Sequence, residues 1–197
     1  MVGGTFATIF CSVAHIDPRF NSLYSIVSEI LSRSGNFIDL IERKFYDGLY
    51  IHRIAPEYCV QFGCPYALNP HVYYGTLDED AGQGSGPPDT SFKSCDGKVY
   101  TRDEYGNIED EYVKGISNEE RTLSMANSGE PETGGSQLFI NVKDNKHLDW
   151  WKGESESAHP VFGKIVEGYD IVKKIERVET IAEQPVNPIK IISVRIM

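Results

Sequence analysis

Apolar and polar positions along the chain fall mostly into short alternating segments, and helical spacing appears in three places. Thr5 to Val13 is rich in β-branched and aromatic residues with partial alternation, which suits an opening strand. Asp17-Pro18 then offers a helix start. Leu23, Ile26, Val27, Ile30 and Leu31 recur at the spacing that lines one helical face, so the pattern predicts a helix ending near Gly35. Asn36 is placed to cap a second helix, with Phe37, Leu40, Ile41 and Phe45 facing inward and Asp39 in the first turn, where a carboxylate suits the dipole. Asp47-Gly48 signals the turn that stops it. Leu49 to Ile54 and Tyr58 to Phe62 read as neighbouring strands separated by Ala55-Pro56-Glu57.

From Gly63 to about Ser117 the chain turns polar, with Gly and Pro throughout and only scattered apolar residues such as Phe92, Val99 and Ile108. A loop of that length in a compact domain is usually functional or inserted. Strands are predicted again at Thr122 to Ala126, Gln137 to Val142 and Pro160 to Val166. Tyr169, Val172, Ile175 and Val178 mark a last helix, with Lys173, Lys174 and Arg177 near the end where cations suit the dipole. The tail, Ile192 to Ile196, alternates as a half-buried closing strand does. Many short strands with few helices imply a sandwich or barrel. With no internal repeat and no step in composition, residues 1–197 read as a single domain.

Composition narrows the function classes. A chain of 197 residues with 40% apolar and 24% charged residues can bury a real core and is expected to be soluble and globular. A formal charge of −10 argues against the basic footprint that phosphate backbones select, so no nucleic acid is expected as a partner. No apolar run reaches the roughly 18 residues of a membrane helix. The start lacks a basic leader and an obvious cleavage site, which gives a cytoplasmic expectation with no membrane association. The four cysteines, Cys11, Cys59, Cys64 and Cys95, are expected to be reduced thiols in a chain with its own core.

Two segments carry candidate chemistry. In Ile51-His52-Arg53-Ile54-Ala55-Pro56-Glu57-Tyr58-Cys59-Val60-Gln61-Phe62-Gly63, alternation along two strands lets Arg53 and Gln61 converge across a turn. Read alone, this is equally a surface arginine beside a core tyrosine. In Leu123-Ser124-Met125-Ala126-Asn127-Ser128-Gly129 and Gly134-Gly135-Ser136-Gln137-Leu138-Phe139-Ile140-Asn141, small residues beside strands suit a groove that grips an extended peptide, or a glycine-rich hairpin with no ligand.

Together the two segments resemble the signature of cyclophilins. The resemblance extends to Asn36-Phe37 and Phe45-Tyr46-Asp47-Gly48 upstream and to His159-Pro160-Val161-Phe162-Gly163-Lys164 and Gly168 downstream, covering roughly two thirds of the chain in order. It implies a mainly β fold: a closed antiparallel barrel of eight strands capped by two helices, here with an inserted N-terminal helix and long loops. It implies peptidyl-prolyl cis-trans isomerase activity in protein folding, with Arg53 as catalytic arginine, Gln61 as its polar support and Phe139 in the proline pocket. Tyr58, Cys59, His147, Leu148 and His159 are implied as the remaining pocket positions, and Ala126 and Asn127 as the peptide-backbone segment. The implied partners are proline-containing peptides and proteins, bound by a monomer without metal or cofactor.

Several positions depart from the family pattern. Tyr58 stands where Phe is usual, Cys59 where Met is usual, and Phe62 where Gly is common. His147 replaces a Trp that contacts cyclosporin in many members, so the resemblance implies isomerase activity with weak cyclosporin binding. Trp150 to Ala158 is an insertion beside the pocket, and the acidic stretch between His71 and Gly115 is another, either solvated decoration or a partner surface. Cys59, Cys64 and His52 match no closed zinc pattern, Gly82 to Gly86 lacks the Lys-Ser or Lys-Thr of a phosphate loop, and no nucleophile-elbow spacing is present. Oxidation of a loop thiol such as Cys64 would offer a switch on the groove. The rival from another class is a cyclophilin-like module that binds proline segments without turning them over, and retention of Arg53, Gln61 and Phe139 speaks against it.

Overall fold

The computed structural model describes residues 10–16, 23–27, 31–68, 80–94, 96–153 and 158–196. The strands are β1 (Phe10–Ile16), β2 (Leu23–Val27), β3 (Tyr50–Ile51), β4 (Arg53–Ala55), β5 (Cys59–Phe62), β6 (Ser91–Lys93), β7 (Val99–Thr101), β8 (Thr122–Met125), β9 (Leu138–Asn141), β10 (Val161–Glu167), β11 (Thr180–Ile181), β12 (Gln184–Pro185) and β13 (Ile189–Ile196). Two helices, α1 (Leu31–Glu42) and α2 (Tyr169–Ile175), complete the described elements with two short 3₁₀ turns at Lys146–Leu148 and Trp150–Lys152.

Nine strands join in one sheet in the order β3-β13-β1-β2-β10-β8-β9-β5-β4, and every pairing in it is antiparallel. The mainly β expectation with two helices holds, but the expected closed barrel of eight strands is not what the hydrogen bonds show. The sheet ends in β3 on one side and β4 on the other, and these are consecutive in the chain with only His52 between them. The backbone therefore brings the two edges together without a ladder joining them.

The N-terminal helix expected over Leu23 to Leu31 is also corrected. Leu23–Val27 is a strand paired to both β1 and β10. Leu23, Val27 and Ile26 fit a pleated surface as well as a helical stripe, and pairing on both sides decides for the strand. The start of the opening strand before Phe10 and the helix-start signal at Asp17-Pro18 lie outside the described residues.

Helix α1 begins five residues before the Asn36 cap that the sequence suggests. Its first N–H groups are met from a distance, because the Glu111 carboxylate accepts from Leu31 N at 3.2 Å and Ser32 N at 2.8 Å. Asn36 is internal and buried instead, accepting from Arg102 Nε at 2.8 Å and donating to Gly135 O at 2.8 Å. Gly35 sits mid-helix because a Cβ there would meet Ser94 Cα at 2.7 Å. Phe37, Leu40 and Ile41 enter the core as predicted, where Phe37 meets Tyr46 at 5.4 Å and Phe162 at 5.6 Å between ring centroids. Tyr169, Ile171, Val172 and Ile175 bring α2 onto the same core.

The long polar stretch is anchored rather than merely solvated over its described part. Arg102, fully buried, bonds Asn36, Thr90 Oγ1 at 2.9 Å and Asp39 Oδ2 at 2.7 Å, and Arg33 ties α1 to Asp110 at 2.8 Å. Residues 69–79 and Cys95 of this stretch, and residues 154–157 of the Trp150 to Ala158 insertion, lie outside the described residues. Among the described residues no helix is long and apolar enough to cross a membrane.

Candidate active site

Strand register builds the site from the sheet itself. Arg53 on β4 lies opposite Gln61 on β5, and Gln61 lies opposite Phe139 on β9, so three neighbouring strands present the three residues in one row. The Arg53 Nη1 donates to Gln61 Oε1 at 3.2 Å and approaches Cys59 Sγ at 3.8 Å, while its guanidinium carbon stands 5.6 Å from the Tyr58 ring centroid. Gln61 Nε2 donates to Gln137 Oε1 at 2.9 Å, and Gln137 Nε2 donates in turn to Gly82 O and Gly84 O, both at 2.7 Å. The chain of amides fixes which end of Gln61 faces the arginine.

Beside this polar row sits a small apolar cluster separate from the main core. Ala55, Cys59, Ala126, Phe139 and Leu148 are buried together with Tyr58 packed against them. Tyr58 and Phe139 stack at 6.4 Å, and the edge of His159 meets Phe139 at 5.3 Å. His159 Nδ1 lies 3.0 Å from Met125 O, so that nitrogen is the donor and carries the proton. Asn127 Nδ2 donates to Ala158 O at 2.8 Å and its Oδ1 accepts from Gly129 N at 3.1 Å. Arg53, Tyr58, Cys59, Gln61, Ala126, Asn127, Phe139 and His159 all line one groove of about 360 Å³.

Two predicted positions stand apart from that surface. Leu148 packs into the apolar cluster behind the groove, and exposed His147 stacks on the Tyr58 ring at 6.2 Å. Six further lining residues lie outside the predicted set: His52, Ala81, Gly82, Ala182, Glu183 and Gln184. Glu183 Oε2 accepts from Arg53 Nε at 2.6 Å across a separation of 130 residues, which no local spacing could reveal. A second recess of about 770 Å³ adjoins the groove across Gln61, Gly82, Ala126 and Asn127, with Pro65, Tyr66 and Tyr105 on its far walls.

The electrostatics favour one lasting cation, Arg53, paired with the Glu183 carboxylate and flanked by neutral rings. Burial is the largest single influence on Arg53 and works against its charge, but the hydrogen bond to Glu183 and the charge interactions with Cys59, Glu183 and Tyr58 together outweigh it and the pKa rises. Burial lowers His159 and pushes His52 down to about 4, so both rings are neutral near pH 7. Burial also pushes the Cys59 thiol up to about 11, which makes it a poor nucleophile, and Cys64 is a buried free thiol too. Among the described residues no group of three or more His, Cys, Asp or Glu is placed to hold a metal ion.

The family described as cyclophilin type peptidyl-prolyl cis-trans isomerase/CLD matches residues 32–196. The chain belongs to that family. Peptidyl-prolyl cis-trans isomerase A of Dickeya dadantii is 30% identical over 74% of this chain and 60% of its own length. An isomerase of the same name class from Acinetobacter baylyi is 30% identical over 82% of this chain and 71% of its own length. Among solved structures, a Cryptosporidium parvum cyclophilin type isomerase superposes with a TM-score of 0.66 at 22% identity, covering 95% of this chain and 98% of that one. The same C. parvum cyclophilin was also solved in the presence of the dipeptide Ala-Pro, with a TM-score of 0.65. The chain is thus a cyclophilin whose curated relatives are named for isomerisation of peptidyl-prolyl bonds.

Proposed function

We propose that this cyclophilin accelerates rotation about X–Pro bonds in peptides and folding proteins, with Arg53 stabilising the twisted amide. Rotation must break amide resonance, a barrier of about 18–20 kcal/mol, and no covalent bond changes. In the twisted state the proline nitrogen becomes pyramidal and regains a lone pair, which a fixed cationic donor can meet and the planar amide cannot offer. Arginine suits this because its fork is rigid and always charged. The observation that supports the reading is the row Arg53, Gln61, Phe139, in which the guanidinium is held 3.2 Å from Gln61 at the edge of the apolar cluster.

On this reading Phe139, Tyr58, Cys59 and Leu148 hold the proline ring, with His159 and His147 flanking it. Ala126 and Asn127 meet the peptide backbone, and the adjoining recess takes neighbouring side chains. The reaction needs neither metal nor cofactor. The protein works as a single-domain cytoplasmic monomer on proline-containing clients, and exposed His147 gives cyclosporin little to bind.

NMR exchange between cis and trans forms of an Ala-Pro peptide tests the proposal. Wild type accelerates exchange, and Arg53→Ala loses about 10²- to 10³-fold of the acceleration, the range seen when a transition-state donor is removed. Peptide binding without acceleration by wild type would refute it and leave a proline-reading module.

A further inference from the structure

The hairpin after α2 turns through just two residues, Ala182 and Glu183, between β11 and β12. Both have positive φ, 48° and 64°, a region that is costly for any residue with a Cβ. Two-residue turns of this shape ordinarily take Asn-Gly or Asp-Gly. Backbone strain of this kind persists only where the surroundings over-determine it, and it gathers at active sites. Here the surroundings are the groove, because Ala182, Glu183 and Gln184 all line it.

Glu183 grips β4 in two ways. Its backbone carbonyl accepts from Ile54 N at 2.6 Å, which pins the hairpin beside Arg53, and its carboxylate accepts from Arg53 Nε at 2.6 Å. The guanidinium is then held at two of its three nitrogens, Nε by Glu183 and Nη1 by Gln61 Oε1, with Nη2 left without a protein partner among the described residues. An arginine side chain has several soft torsions, and Gln61 alone would leave the plane free to pivot about one contact. Two contacts, one from the neighbouring strand and one from the distant hairpin, fix it. A donor fixed before the reaction needs no reorganisation when the amide twists.

We propose that Glu183 is a positioning residue for isomerisation, holding the Arg53 guanidinium by its Nε so that the remaining N–H groups face the bound X–Pro bond. The proposal rests on the reading of Arg53 as donor to the twisted amide. In this role the carboxylate acts through Arg53.

The test compares Glu183→Ala, Glu183→Gln, Glu183→Gly, Arg53→Ala and the Arg53→Ala/Glu183→Ala double variant by NMR exchange of an Ala-Pro peptide, with peptide affinity from titration shifts. Glu183→Ala is expected to lose about tenfold in kcat/KM with affinity changed less than about twofold, because the contact matters when the amide twists. Glu183→Gln retains an oxygen that accepts from Nε and should stay within about threefold of wild type. Glu183→Gly relieves the positive φ, so its Tm should be equal or higher while its rate falls as in Glu183→Ala, a split that a merely structural role does not produce. The double variant should be no slower than Arg53→Ala alone. The Arg53 Nε–H resonance should be protected from solvent exchange in wild type and lose that protection in Glu183→Ala, a readout available even where Arg53→Ala has no measurable rate.

Glu183→Ala at the wild-type rate or faster overturns the proposal, as does an equal loss from Glu183→Ala with and without Arg53, or an unprotected Nε–H in wild type. A wild-type rate in Arg53→Ala would instead remove the reading of Arg53 itself, an outcome separate from the others.

Discussion

Acid should unfold this protein in part through one histidine. His52 is the single residue between β3 and β4, at the place where the two edges of the sheet meet, and it is 4% exposed. Neither ring nitrogen has a well-formed hydrogen bond, and burial pushes the pKa from 6.5 down to about 4, opposed by nearby Gln137 and aided to a lesser degree by the Arg53 charge. The unfolded chain takes up its proton near 6.5, before the folded one does, so the unfolded state gains as pH falls. The stability tied to neutral His52 is complete above about pH 6.5 and is lost progressively down to about pH 4, below which folded and unfolded chains are both protonated. The gap corresponds to about 3 kcal/mol, at about 1.4 kcal/mol per pH unit inside the window. His159 is lowered in the same direction, so the wild-type curve alone overstates the share of His52. Urea unfolding of wild type and His52→Leu across this range isolates it, because leucine fills much of the space and leaves no polar atom to orphan. The variant should gain on wild type by about 3 kcal/mol between about pH 7 and pH 4. Parallel curves would refute the reasoning, since they would mean that the folded ring accepts a proton as readily as the unfolded one.

Two further perturbations test the supports of the groove. Asp149, with its side chain buried, accepts from Ser117 Oγ at 2.5 Å and from Asn118 N at 2.8 Å and Nδ2 at 3.0 Å. Burial alone would raise its pKa, but these bonds outweigh it and hold the carboxyl below the ordinary range. Its contribution is therefore present above about pH 3.9 and lost as pH falls through the lower folded value. Asp149→Ala leaves the Asn118 donors without that acceptor and should destabilise by about 2–4 kcal/mol in urea titration at neutral pH. Gly106 has φ +84° and a Cβ there would meet Gly86 O at 1.9 Å, so Gly106→Ala should lower stability by about 2 kcal/mol or more in a thermal melt. Because Gly86 lines the recess beside the proline groove, the same variant should weaken binding of longer peptides more than of Ala-Pro, read by titration.

What was legible in the sequence divides along the reach of each interaction. Arg53 and Gln61 could be placed on converging surfaces because a hairpin with two-residue periodicity pairs them, and the register Arg53 to Gln61 is the one observed. Phe139 came from the family resemblance, and β5 to β9 pairing puts it next in the row. The segment 23–31 misled because β-branched and apolar residues at helical spacing also satisfy a strand with partners on both sides, and periodicity alone does not decide between them. Asn36 misled for a related reason. Its type suits a cap, but Glu111 in the long loop supplies the capping acceptor and frees Asn36 to bind Arg102 in the core. Glu183 was invisible because its turn lacks the Gly or Asn that would announce positive φ, and because its partner is 130 residues away. The missing glycine becomes informative once the fold is known. The role proposed for Glu183 accounts for Ala-Glu where Asn-Gly would be more comfortable, because the carboxylate lies 2.6 Å from Arg53 Nε.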